Sequence, residues 1–70
     1  MKTKIQDINK AKETRSEVVI TLKNGKRMFV DFADNTVCRF SEAKGNEQTR
    51  GFNADTKKMF DLAITYLNKQ

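Results

Sequence analysis

The sequence predicts an α+β domain: an antiparallel four-stranded β-meander with one C-terminal amphipathic helix packed across one face. Three observations predict it. Two β-rich runs flank Lys23-Asn24-Gly25, and Asn-Gly is a strong short hairpin signal. The apolar residues from Val18 to Phe32 gather on one side of a ribbon when the turns hold an odd number of residues. Residues 54–69 carry a broad apolar arc at helical spacing.

The first turn is decided by parity. A two-residue Asn24-Gly25 loop sets Ile20 opposite Phe29 and splits the apolar set between both faces. A three-residue Lys23-Asn24-Gly25 loop, with Gly25 in the left-handed position of a bulge, pairs Ile20 with Met28 and Val18 with Val30. Val18, Ile20, Leu22, Met28, Val30 and Phe32 then share one face.

The same reasoning selects a three-residue Ala33-Asp34-Asn35 loop for the second turn, with Asn35 left-handed, a conformation Asn tolerates well. That loop pairs Val30 with Cys38 and Met28 with Phe40. Val37, Phe40 and Ala43 also have helical spacing, so residues 34–43 admit a helix, but Thr36, Val37, Cys38 and Phe40 favour a strand. Glu47 to Asn53 reads as a polar edge strand with Phe52 its one clearly apolar residue.

Asn53 or Asp55 can cap the last helix, which runs to about Asn68. At 100° per residue, Leu62, Tyr66, Met59, Ala63, Leu67, Phe60 and Ile64 fill an arc of about 200°. Asp61, Thr65 and Asn68 hold the other side. Ala63 lies near the centre of the arc, where a small side chain lets the helix approach the sheet. The arc is wider than one contact needs, so Ile64 or Leu62 is left to meet the N-terminal segment or a partner chain. Residues 1–15 admit three readings, a short helix, an irregular edge strand or partial disorder, because Ile5 and Ile8 are nearly alone among polar neighbours.

The 70 residues fit one domain, 1–70, with the meander in 16–53 and the helix in 54–69. A chain this short has a thin core, and small domains commonly add disulfides, a metal or a second subunit. Cys38 is the single cysteine and there is no histidine, which excludes an internal disulfide and leaves no ligand set for zinc. Cys38 reads as a small buried hydrophobe, and an unpaired thiol fits a reducing compartment. No apolar stretch reaches the roughly 20 residues of a membrane span, and the first fifteen or so lack the apolar middle of a signal peptide. The expected location is the cytoplasm and no membrane partner is expected.

The net charge is +5, a mild bias toward polyanions. It divides as +2, +2 and +1 over residues 1–17, 18–53 and 54–70, so any basic patch must be assembled by folding. Catalytic constellations are missing from the pattern. Without histidine no Ser–His or Cys–His pair exists. Asp31, Asp34, Asp55 and Asp61 read as turn, cap or solvated positions, and Gly25, Gly45 and Gly51 are too dispersed to cradle a phosphate. The chain is not expected to be an enzyme, and no cofactor is expected.

One feature bears on function. In this register the face opposite the helix carries Val19, Thr21, Lys23, Arg27, Phe29, Asp31, Val37, Arg39 and Ser41, with Phe29 between Val19 and Arg39. An aromatic ring flanked by cations is a minimal platform for single-stranded nucleic acid, since every base has a π-face and every linkage a charge. Lys23, Arg27, Phe29 and Arg39 are therefore the candidate binding residues. Two other readings stand beside that one. Phe29, Val19 and Val37 form a second small core covered by Ile5 and Ile8, or they form the contact face of a homodimer or of another protein. A four-strand meander followed by a helix resembles, in element order alone over residues 16–69, the single-stranded-DNA-binding transcriptional coactivators; no motif is shared and no binding residue carries over. The expected function is a non-catalytic protein-binding module, an inhibitor or adaptor of the type phages and mobile elements encode. The alternative is a single-stranded nucleic-acid-binding protein, and a homodimer is open in either case.

Overall fold

The computed structural model describes residues 2–32 and 37–70. Its elements run α1 (Ile5–Thr14), β1 (Glu17–Thr21), β2 (Lys26–Asp31), β3 (Cys38–Lys44), β4 (Glu47–Ala54) and α2 (Thr56–Leu67). The strands form one antiparallel sheet in the order β1-β2-β3-β4. The meander is as expected; the helices are two rather than one.

The first turn has the bulged geometry the apolar pattern demanded. Gly25 sits at φ +85°, its N–H donates to the Leu22 carbonyl at 3.1 Å, and Leu22 N–H donates to Lys26 O at 2.8 Å. Val18 pairs with Val30 and Ile20 with Met28. Alternation then does the sorting: Val18, Ile20, Met28, Val30 and Phe32 are all buried.

The β2–β3 register corrects the expectation by two residues. Val30 faces Phe40 rather than Cys38, Met28 faces Glu42 rather than Phe40, and Asp31 faces Arg39. A shift of two keeps every side chain on its expected face, because the strand period is two. The observed register centres Phe40 on the core face between Val30 and Phe52. There its ring meets Tyr66, at 5.6 Å between centroids, and Phe52, at 5.2 Å. The Ala33-Asp34-Asn35 turn lies outside the described residues. Cys38 to Lys44 is strand, which overturns the helical alternative there.

α2 is capped by Asp55, whose carboxylate accepts from Lys58 N–H at 2.8 Å. Asn53 and Ala54 belong to β4, so the helix starts two residues later than the expected 54. Met59 and Ala63 are fully buried against the sheet. Phe60, Leu62, Ile64, Tyr66 and Leu67 are half-buried around them.

The excess arc of α2 is consumed by α1. Ile8 and Ala11 of α1 join the same core, and the Lys12 ammonium lies 4.8 Å from the centre of the Phe60 ring. Asp7 accepts from Lys4 N–H at 2.8 Å to hold the start of α1. Arg15, in the left-handed conformation at φ +56°, turns the chain into β1. Arg15 also reaches Thr56 at the start of α2, while Gln70 exchanges hydrogen bonds with the Thr3 backbone at 3.0 and 2.8 Å. The two helices therefore run antiparallel, side by side, on one face of the sheet. No helix among the described residues is long and apolar enough to cross a membrane.

A substitution pair checks the docking of α1. Ile8 is fully buried and Ile5 is 49% exposed. Ile8→Ala should cost about 2–5 kcal/mol of folding stability and Ile5→Ala less than about 1 kcal/mol. Urea denaturation of both variants measures the difference.

Candidate functional site

Because both helices lie on one side, the other side of the sheet is left uncovered by the described residues. Strand alternation places Glu17, Val19 and Thr21 of β1 there, with Arg27, Phe29 and Asp31 of β2, Arg39, Ser41 and Ala43 of β3, and Gly51 and Asn53 of β4. Val19 is 37% exposed, and Val37, just ahead of β3, is 45% exposed. Phe29 is half-buried by its neighbours on the ribbon. The reading in which Ile5 and Ile8 cover Phe29 is overturned, since Ile8 is buried in the core beneath the helices and Ile5 is exposed.

Phe29 stands between two shallow depressions. One, of about 420 Å³, is bounded by Phe29, Asp31, Arg39, Gly51 and Asn53. The other, of about 490 Å³, is bounded by Phe29, Arg27, Ser41 and Gly45. Gly51 makes the floor of the first possible. A Cβ there would stand 2.7 Å from the Phe40 carbonyl oxygen, so the strands approach where a side chain would not fit.

The structure brings together three of the four expected site residues. Arg27 lies with its guanidinium 5.5 Å from the centre of the Phe29 ring and donates to the Gly45 carbonyl. Arg39 is on the same face but opposite Asp31, whose carboxylate it meets at 3.3 Å; Ser41 takes the place opposite Phe29. Lys23 stands apart in the β1–β2 turn, beside Thr21, Leu22, Lys2 and Gln70. Glu17 and Asp31 oppose Arg27 and Arg39, so the face is electrically balanced.

Sequence reasoning missed two carboxylates. Glu17 borders both depressions. Glu42 is buried on the helix side, at 4% exposure, where Lys26 Nζ meets it at 2.6 Å and Arg50 Nε at 2.9 Å. Counting on by twos from Cys38 and Phe40 would have put Glu42 inside. The hydrogen bond from Lys26 holds the Glu42 carboxyl below its ordinary pKa, against the opposing effect of burial, and Arg50 adds to the lowering. The Tyr66 side chain, then Glu42, raises the pKa of Arg50. This cluster ties β2, β3, β4 and α2 together at one end of the sheet and does not reach the uncovered face.

No protein-family model, curated protein or solved structure matches the chain.

The Glu42 cluster makes a pH prediction. A carboxylate with a depressed folded-state pKa stabilises fully above its unfolded value, near 4.3, and the contribution is lost as pH falls through the folded value. Glu42→Gln should therefore melt lower than the wild type at neutral pH. The gap should close as pH drops below about 4. Thermal melts at a series of pH values measure it.

Proposed function

We propose that this chain is a non-catalytic, cytoplasmic protein-binding module, an inhibitor or adaptor whose partner docks on the uncovered sheet face. The observation that carries the reading is the composition of that face. It offers Val19 and Phe29 at its centre, with shallow depressions on both sides of the ring. Its charges cancel, and both arginines already have partners in Asp31 and the Gly45 carbonyl. An apolar centre inside a polar, balanced rim suits a protein surface better than a polyanion, which needs uncompensated cations.

Phe29 is the expected anchor, because aromatic side chains at the centre of an interface dominate binding energy. Phe29→Ala should cost about 2 kcal/mol or more of partner affinity while shifting the melting temperature little. Affinity capture from the native host with wild-type and Phe29→Ala baits reads the first effect, and circular dichroism melts read the second. Equal capture by both baits would remove the face from consideration.

A second reading rests on the Arg27–Phe29 stack, which is the geometry a nucleobase could extend. A labelled single strand titrated by fluorescence anisotropy discriminates the two. The protein-binding reading expects no salt-sensitive association. The nucleic-acid reading expects affinity that falls linearly on a log–log plot against salt, with a slope near −0.7 per phosphate engaged.

A further inference from the structure

The geometry points to a second copy of this chain as the occupant of the outer edge of β4, paired antiparallel about Phe52 so that two four-stranded sheets become one continuous sheet. The inference stands independently of what the uncovered face binds.

In an antiparallel ladder the N–H and C=O of one residue point to the same side, and that side alternates along the strand. Leu22 N–H donates to Lys26 O, and Phe32 N–H to Ser16 O, so the even-numbered residues of β2 bond toward β1 and the odd-numbered ones toward β3. Carried through the next two registers, the alternation bonds Cys38 to Ala54, Phe40 to Phe52 and Glu42 to Arg50. Gly51 and Asn53 must then turn their backbone groups outward. Among the described residues, nothing in the chain bonds to them there.

The chain treats its two sheet edges differently. At β1 the Thr3 hydroxyl donates to the outward carbonyl of Val19 at 2.6 Å, and α1 packs alongside. At β4 the usual protections are sparse. The chain has no proline, and β4 has no lysine. The bulge opposite Glu42 and Ala43 disturbs only the first half of β4, leaving Arg50 to Ala54 in regular register. α2 packs over β1, β2 and β3, and Phe52, on the helix side of β4, is left 41% exposed.

The edge is self-complementary about Phe52, whose exposed ring would meet its own image, and that self-match is what favours a second copy. Laid antiparallel on its own image with Phe52 opposite Phe52, Gly51 of each chain exchanges both backbone bonds with Asn53 of the other. The two exposed rings fall at the non-hydrogen-bonded position, where Cα atoms approach to about 4.5 Å and side chains meet. Arg50 faces Ala54, so no like charges are opposed along the paired strands, and the Lys58 ammonium of each copy stays over its own Phe52 ring at 5.6 Å. The pairing places both helical layers on one side and both uncovered faces on the other. The depression bounded by Arg39, Gly51 and Asn53 reaches the seam and continues into its symmetry mate, giving a partner one double-length surface.

Sedimentation equilibrium over a dilution series tests this. The wild type should pass from the mass of one chain toward that of two as concentration rises. Asn53→Pro removes the outward N–H and spares the inward ladder, a place where an edge strand accepts proline; it should weaken association about tenfold or more. Asn53→Ala keeps the N–H and should associate like the wild type. Phe52→Glu sets two carboxylates against each other across the dyad and should also leave single chains, which preserves the test should the proline variant fail to fold. A wild type that stays a single chain at about millimolar concentration, or Asn53→Pro and Phe52→Glu variants that associate as the wild type does, would overturn the inference.

Discussion

Side-chain alternation across β1, β2 and β3 is the constraint on which the rest of the molecule depends. Each strand has a period of two, and the bulged turn at Gly25 keeps that period in phase from one strand to the next. As a result Val18, Ile20, Met28, Val30, Cys38 and Phe40 of three strands point the same way. Among the described residues, eleven buried apolar side chains form a core on that side. Both helices are drawn to it, α2 through Met59 and Ala63 and α1 through Ile8 and Ala11. A slip of one residue would have divided the same side chains between two faces, neither apolar enough to hold a helix.

One-sided packing has a consequence for function. A two-layer domain of this size has no element left to cover its second sheet face, and what lies there meets solvent or a partner. Here that face is centred on Phe29 rather than on a polar residue, and its arginines are paired with Asp31 or with backbone. The formal charge of +5 does not concentrate on it. Residues 2–15 and 55–70, which build the helical layer, hold most of the excess of lysine and arginine over aspartate and glutamate. The excess of positive charge therefore lies with the helical layer and not on the uncovered face.

How much of this was legible in the sequence follows from which forces are local. The first hairpin was fully readable, because Asn24-Gly25 names the turn and the flanking alternation names the register. The span of α2 was readable to within two residues, since its arc is long and Asp55 is a strong cap. The second register missed by two residues because face assignment is insensitive to an even shift; only the tertiary contact of Phe40 with Tyr66 and Phe52 distinguishes the two pairings. That miss moved Arg39 from Phe29 to Asp31 and weakened the cationic platform expected from the sequence. α1 was ambiguous because its inward face holds little beyond Ile8 and Ala11, and its helix is stabilised by docking rather than by its own pattern. Glu42 was passed over because a carboxylate is not expected in a core. It is tolerated there by Lys26 and Arg50, which arrive from two other strands.

Adjacent residues of β1 and β2 see opposite environments, one packed beneath two helices and one open to solvent. Relaxation of methyl and aromatic signals by a soluble paramagnetic probe reads this residue by residue. Strong broadening is expected for Val19, Phe29 and Val37, with Val18, Ile20 and Val30 protected. Equal protection of Val18 and Val19 in the isolated monomer would contradict it, because something other than solvent would then cover the second face.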